Sequence, residues 1–447
     1  MFIEFSLIEI SLFLIFLLIY SILIGSIMRA YYLGNRKFQF LQKIILFIAE
    51  IPSNIFFYVK KLPLTNHFCK PAVLLKHNNK EKFKRFKSEN REGLLVLPRY
   101  DHYEKRSLVE IIDLREFEII HTYKHDIRMM NKKVHNKKYF PGLNTIGGPK
   151  TFLYWDPLIL DDGSLICDGN PGPEFKIDFD SNIEWINDEI VFHHSKVLDY
   201  EKNCWLCGRL VKQSKILNNY SLKGVNDDAI VKINTSGKIL FKKSLIEILF
   251  ENKIWDRNNI SELDKNHQPI HLNCIEPVFN DTKFWKKGDI FINLKHQSQI
   301  ILYRPATNKI LKLINGPFSM QHDVKVISEN EISIFNNNNF LFDNNYSEVV
   351  IYNFETNIFR KVFNEQLQKE NFKTYLSGKS QILSDGSLFV EEARHGRIIL
   401  FDNRGQKVWE YINKSLNGLI GYTSGCRVIE DENFIKKLSL LSKQIKS

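Results

Sequence analysis

Cysteine is scarce in this chain of 447 residues, and its spacing does not suit cross-linking: Cys69, Cys167, Cys204, Cys207, Cys274 and Cys426 lie far apart except in C-W-L-C. An extended four-residue run throws Cys204 and Cys207 onto opposite faces, and no second C-x-x-C completes a tetrahedral zinc set. They are read as structural cysteines, which leave the redox compartment open. Acid is also in short supply, with 51 Asp and Glu against 62 Lys and Arg, a formal net charge of +11 and a pI near 9.1. That balance suits an anionic partner such as a sulfated or phosphorylated ligand or an acidic membrane surface. Lys and Asn are scattered and no nucleic-acid module is present, so nucleic acid ranks last among partners.

No Lys or Arg precedes the first long apolar run, residues 5 to 28, which holds a single acid, Glu9. The run is long enough to cross a bilayer, which takes about 20 residues as a helix. Without a basic start and a small-residue exit it does not suit a cleaved signal peptide, and it is read as a retained transmembrane anchor over residues 1–35. Arg29, Arg36 and Lys37 follow it, and by the positive-inside rule alone they would keep the bulk of the chain in the cytoplasm. A second apolar stretch, IILFIAEIPSNIFFYV at 44 to 59, would return the chain to the other side. Glu50 and Pro52 suit an interfacial or packed helix equally well. Residues 36–90 are expected to be an amphipathic segment and linker, with the remainder on the periplasmic side.

From about residue 90 the texture changes. Aromatic residues make up 13% of the chain, with 34 Phe and 17 Tyr, and short β-branched and aromatic runs favour strands. LILDDGSLICDG at 158 to 169, INTSGKILFKKS at 233 to 244, WKKGDIFINLKH at 285 to 296 and QILSDGSLFVEE at 381 to 392 each read as strand, turn, strand. Second strand pairs follow in IILYRPATNKILKLI at 300 to 314 and IILFDNRGQKVWEYI at 398 to 412. Four antiparallel strands repeated every few tens of residues predict an all-β fold, a β-propeller over 91–447; at ~40 to 50 residues per blade this gives six to eight blades. A pair of sandwiches is the structural rival. Asp161 and Asp162 are read as turn chemistry rather than a calcium loop, because no acid sits at the required distance. Trp205, Trp285 and Trp409 are read as blade packing, and Asn336 to Asn339 as a small polar loop.

Histidines stand where strands begin: VFHHSKVLD, PIHLNCIEP, NLKHQSQII and MQHDVKVI. The first strand of each propeller blade lines the central channel, so such scattered positions converge. On a flat strand, Met320, His322, Val324 and Val326 share one face, and His271 shares a parity with Asn273. For any one histidine a hydrogen-bonded structural role is the default reading. As a set, on the channel strands of distant blades, they would line one pocket.

H-H at 193 to 194, H-x-N at 271 to 273, K-H-Q-S at 295 to 298 and Q-H-D at 321 to 323 resemble, in order, the motifs of bacterial arylsulfotransferases, which do not use the nucleotide sulfate donor. The resemblance runs from about residue 90 to 430 and includes S-D-G-S-L and V-W-E-Y. It implies a six-bladed propeller moving a sulfuryl group from a phenolic sulfate ester to a phenolic acceptor by a ping-pong route. It implies His322 as nucleophile through a sulfohistidine, His271 and either His193 or His194 as further catalytic residues, and Asn273 and Lys295 as substrate contacts. No cofactor or metal is implied. A homodimer is compatible with it.

A neutral imidazole, with an ordinary pKa near ~6.5, offers a nucleophilic nitrogen at working pH and departs readily in a second step. A loose sulfuryl transition state leaves the protein to position it and neutralise its oxygens. The family has arginine where this chain has Lys295, which keeps the charge and loses the planar fork. Arg304, Arg397 and Arg427 are candidates to compensate. His296, opposite in parity to Lys295, is read as structural, and Lys295 as either an anion contact or a solvated charge. A propeller that binds a sulfated ligand without turnover, and a scaffold recruiting protein partners, are the rival functions.

Overall fold

The apolar run at the amino end forms one helix, Leu7–Tyr32, in a computed structural model that describes residues 6–32, 40–42, 44–45, 48, 51, 69–71, 77, 80–87, 91–140, 143, 148–169, 171–220, 222, 224–256, 259, 267–339, 346–415 and 419–446. Its one acid is explained by its position. The Ser6 backbone N–H and hydroxyl both donate to Glu9, and the Glu9 N–H donates to the Ser6 hydroxyl, a capping box that satisfies the first turn. Leu7–Ile27 is long and apolar enough to cross a membrane, and its Leu12, Phe13, Phe16 and Leu18 side chains are exposed. The second apolar stretch at 44 to 59 lies largely outside the described residues.

The chain divides into two units, residues 1–66 and 67–447. The second is a propeller-like assembly of antiparallel sheets. Its separate sheets are built on Leu272–Pro277 through Lys309–Asn315, on His322–Val326 through Phe359–Val362, on Lys379–Ile382 through Lys407–Ile412, and on Leu94–Asp101 through Glu118–Tyr123. These are four distinct blades rather than the six expected from the sequence. The difference lies in one strand of 16 residues, Ile183–Leu198, which is shared by strands on either side and joins Trp155–Ile159 through Ile239–Ser244 into one seven-stranded sheet.

That sheet nevertheless folds back on itself. Leu158, Leu160 and Ile166 from one half pack in a single cluster with Phe192, Leu206 and Val231 from the other. Equivalent clusters fill the other gaps between sheets, as where Trp285 and Phe291 meet Val324, Ile332 and Val350. Alternating strands supply this directly, because every second side chain points into the space between neighbouring sheets. Trp205, Trp285 and Trp409 are buried in three of these clusters. Cys204 and Cys207 belong to different ones, as opposite faces require.

Both ends of the second unit close it. Arg427–Ile429 pairs with Leu94–Asp101, and Phe83–Arg85, within the segment expected to be a linker, adds a fifth strand beside Lys407–Ile412. Six strands touch in succession: Leu94–Asp101, Trp155–Ile159, Ile183–Leu198, Leu272–Pro277, His322–Val326 and Lys379–Ile382. That succession brings residues remote in the chain to one centre.

Candidate active site

Irregularities in these inner strands aim the side chains. Register slips opposite Trp155 to Leu158, His193 to Lys196, Leu272 to Cys274 and His322 to Val324, so Asn273 and Asp323 are unmatched residues. Asp156, His194, His271 and Asp323 adopt positive φ of 45°, 62°, 55° and 43°. Each such residue costs on the order of 1–3 kcal/mol, which recurs here around one centre. The flat-strand expectation for His322 fails for this reason. Met320 precedes the strand at φ 55°, and the bulge at Asp323 breaks the alternation. His271 likewise precedes its strand, so shared parity with Asn273 is not what brings the two together.

His194, Asn273 and His322 line one cavity of about 30 Å³ with Trp155, Asp156 and Lys379. The ring centroids of His194 and His322 lie 6.4 Å apart, and those of His194 and His271 lie 5.1 Å apart. Lys295 Nζ donates to His271 Nε2 at 3.5 Å. His193 stands behind, its Nδ1 2.8 Å from His194 Nδ1 and its Nε2 3.7 Å from Asp228 Oδ1. His194, Asn273 and His322 thus line the cavity, His271 and Lys295 adjoin it through His194, and His193 stands off it.

Hydrogen bonding fixes which nitrogen is free on His322 and His271, and the charge of Asp228 biases the other two rings. His322 Nδ1 faces Asn337 Oδ1 at 2.5 Å and the Met320 carbonyl at 3.1 Å. Asn337 Nδ2 donates to the Thr374 and Ser377 carbonyls, so its oxygen must be the end toward the ring. Two acceptors on Nδ1 place the proton there and the lone pair on Nε2. His271 follows the same rule: Nε2 accepts from Lys295 and Nδ1 donates to Gln268 Oε1 at 3.0 Å. The Asp228 carboxylate favours a proton on His193 Nε2. His193 Nδ1 then accepts from His194 Nδ1, leaving the His194 lone pair on Nε2.

Burial holds the rings neutral. It pushes His322 and His193 down to about 3, with Lys295 adding to the effect at His322 and Arg209 at His193. His194 and His271 are lowered as well, first by burial and then by neighbouring cations and rings. Burial also lowers Lys295, 4% exposed, to about 8, with Arg394 nearby. Among the described residues no carboxylate pairs with Lys295.

Asn273 has a second duty. Its Nδ2 donates to the Gln321 carbonyl and its Oδ1 accepts from Asn293, while Gln321 Nε2 donates to Asn293 Oδ1. This lacing holds the residue before His322. His296 Nδ1 donates to the Gln268 carbonyl at 2.6 Å, an anchor for the turn that carries Lys295. Of the arginines named as substitutes, Arg304 pairs with Asp289, and Arg397 with Glu410, Glu370 and Glu392. Arg427 binds Asp156 on the cavity wall, as does Lys379 at 2.5 Å. Sequence reasoning missed Lys379, Asp228, Gln268 and Asn337. The last lies in the run expected to be a polar loop, yet Asn336 and Asn337 are fully buried.

The arylsulfotransferase (ASST) family model matches residues 174–414, a span that contains His193, His194, His271, Asn273, Lys295 and His322. The chain belongs to the arylsulfotransferase family. No curated protein matches this arylsulfotransferase-family chain. Among solved structures it is similar to a Bacteroides caccae protein of unknown function, at 13% identity over 76% of this chain and 100% of that one, with a TM-score of 0.47. It is also similar to virginiamycin B lyase from Staphylococcus aureus, at 13% identity over 59% and 71% of the two chains, with a TM-score of 0.34. A streptogramin B lyase gives 8% identity over 76% and 91%, with a TM-score of 0.38.

Proposed function

We propose that this member of the arylsulfotransferase family moves a sulfuryl group from a phenolic sulfate ester to a phenolic acceptor through a sulfohistidine on His322. The observation that carries the reading is the pair of oxygens on His322 Nδ1, which leaves Nε2 as the nucleophilic nitrogen beside His194 and the Lys295–His271 pair. In the first half-reaction Nε2 forms the N–S bond as the S–O bond to the aryl group breaks. In the second, the acceptor oxygen takes the sulfuryl group and Nε2 recovers its electron pair. Lys295 neutralises charge on the sulfuryl oxygens, and the second N–H of Asn273 Nδ2 is a further donor to them.

The reading extends to the architecture. Counting the seven-stranded sheet as two blades that share Ile183–Leu198 gives six, with packing between its halves in support. The apolar helix serves as an anchor, with the propeller on the periplasmic side and small aryl sulfates as its diffusible partners.

The test is incubation with a chromogenic aryl sulfate and excess phenol. A burst of phenol release and a mass increment of one sulfuryl group on His322 are expected, and both should vanish in His322→Ala. Equal behaviour of wild type and His322→Ala would overturn the mechanism. Saturable, salt-sensitive binding of the ester with no adduct would instead make the propeller a binding module.

A further inference from the structure

We propose that Lys295, hydrogen-bonded to His271, is the proton donor to the departing phenolate and the proton acceptor from the incoming phenol. This role is open to the lysine and closed to the arginine of the family motif. It rests on the sulfuryl-transfer reading above.

The two half-reactions of a phenol-to-phenol exchange are mirror images, so the group that protonates the leaving oxygen must take the proton back from the acceptor. That group has to lie at the site and exist in both forms near working pH. The three rings lie at the site, but none of them directs a proton into it. His322 keeps its Nδ1 proton on Asn337 and Met320, His271 points its Nδ1 proton at Gln268, and His194 shares its Nδ1 proton with His193. Each offers a lone pair, not a proton, on Nε2. A proton on Lys295 Nζ is directed at one of these lone pairs, 3.5 Å from His271 Nε2, and its charge acts on His194 and His322 as well.

The surroundings make that ammonium an acid. Lys295 is buried, no described carboxylate pairs with it, and the charged or titratable groups facing it are His271, His296, His194, His322 and Arg394. Burial and Arg394 bring it to about 8. A phenol resembling the tyrosine side chain has a pKa of ~10, so the transfer from Lys295 to its phenolate runs downhill, whereas guanidinium, above ~12, would run uphill.

The step balances. His322 Nε2 bonds to sulfur, the S–O electron pair leaves with the aryl oxygen, and a Lys295 Nζ proton joins that oxygen, leaving a neutral amine that His271 holds. The acceptor hydroxyl then returns a proton to Nζ as its oxygen bonds to sulfur and the N–S pair goes back to Nε2.

The full chain and its Lys295→Arg variant should be compared on aryl sulfates whose phenols span low to high pKa, across pH 6 to 10. Lys295→Arg should lose at least tenfold more on donors with poor leaving groups than on activated nitrophenyl-type donors. Wild-type donor cleavage should decline above about pH 8, and the variant should show no such decline. Identical leaving-group dependence and pH profile in the two proteins would overturn the proposal, as would an equal loss on all donors, which marks a binding contact alone. A wild type that forms no His322 adduct is a separate outcome: it removes the sulfuryl-transfer reading itself.

Discussion

His322 Nδ1 sits 2.5 Å from Asn337 Oδ1, and the asparagine is itself held by two carbonyls that fix which end of its amide meets the ring. This contact selects the tautomer that keeps Nε2 nucleophilic. Asn337→Leu, close in size but without the oxygen, should slow sulfation of His322 by roughly 10²-fold with the donor KM little changed, because orientation rather than ester binding is lost. Asn337→Asp should behave differently. Its carboxylate stabilises the imidazolium and raises His322 from about 3, so sulfation should now fall as pH drops through the new value, where wild type stays flat. Single-turnover labelling from pH 5 to 9 checks both, and unchanged kinetics in Asn337→Leu would show that the lock is not needed.

Asp228 acts two rings away. It stands 3.7 Å from His193 Nε2 while its other oxygen accepts the Leu272 N–H, and burial raises it to about 6. Asp228→Asn keeps the size and removes the charge that favours a proton on His193 Nε2, so His194 should divide between tautomers. Transfer should drop about tenfold with an unchanged melting temperature, whereas His194→Ala should lose about 10²-fold. If Asp228→Asn transfers at the wild-type rate, the two rings do not communicate.

His125 offers a test of burial away from the site. Its Nδ1 meets the Tyr154 hydroxyl at 2.5 Å among Phe152 and Phe175, and burial lowers it to about 3. In the unfolded chain it titrates near ~6.5. Below that pH the unfolded state binds a proton that the folded state refuses, so this contribution is whole above pH ~6.5 and is lost as pH falls toward about 3. Buried Glu276 and Glu391, both raised, act in the opposite sense, so the comparison must be differential. Stability by urea at pH 7, 6, 5 and 4 should decline less steeply in His125→Gln than in wild type, by up to ~1.4 kcal/mol per pH unit. Parallel curves would mean that the ring is protonated in the fold.

The hairpins at 158 to 169 and 381 to 392 were legible because Asp-Gly turns between apolar runs state their own geometry. The histidine set was legible as an ordered series. What could not be read was the direction of each ring, since alternation assumes a flat strand and the inner strands break register at His194, Asn273 and Asp323. Partners such as Asp228 and Asn337 carry no local signal. They are chosen by contacts across blades, and a run of four asparagines looks like solvent until one of them is found buried against a ring. The shared strand Ile183–Leu198 hid the joining of seven strands into one sheet in the same way, because Asn187-Asp188 reads as a turn and the chain runs straight through it.

Arg397 separates a structural cation from a substrate contact. Its fully buried guanidinium is held by Glu410, Glu370 and Glu392, with Lys80, Lys407 and His77 completing the network, so its charge is already balanced by carboxylates. Arg397→Met would strand these carboxylates in the sheet that carries the strand Phe83–Arg85, and breaking such a buried cluster costs about 3–5 kcal/mol. The urea midpoint should fall accordingly, while at temperatures where the variant remains folded its donor KM should match wild type. Arg427→Met should reverse the pattern. Arg427 shares Asp156 with Lys379 on the cavity wall, and its loss leaves that carboxylate with less positive charge to oppose it where an anionic ester must enter. A raised KM in Arg427→Met and a normal one in Arg397→Met are therefore expected together, and a raised KM with unchanged stability in Arg397→Met would put its guanidinium at the substrate after all.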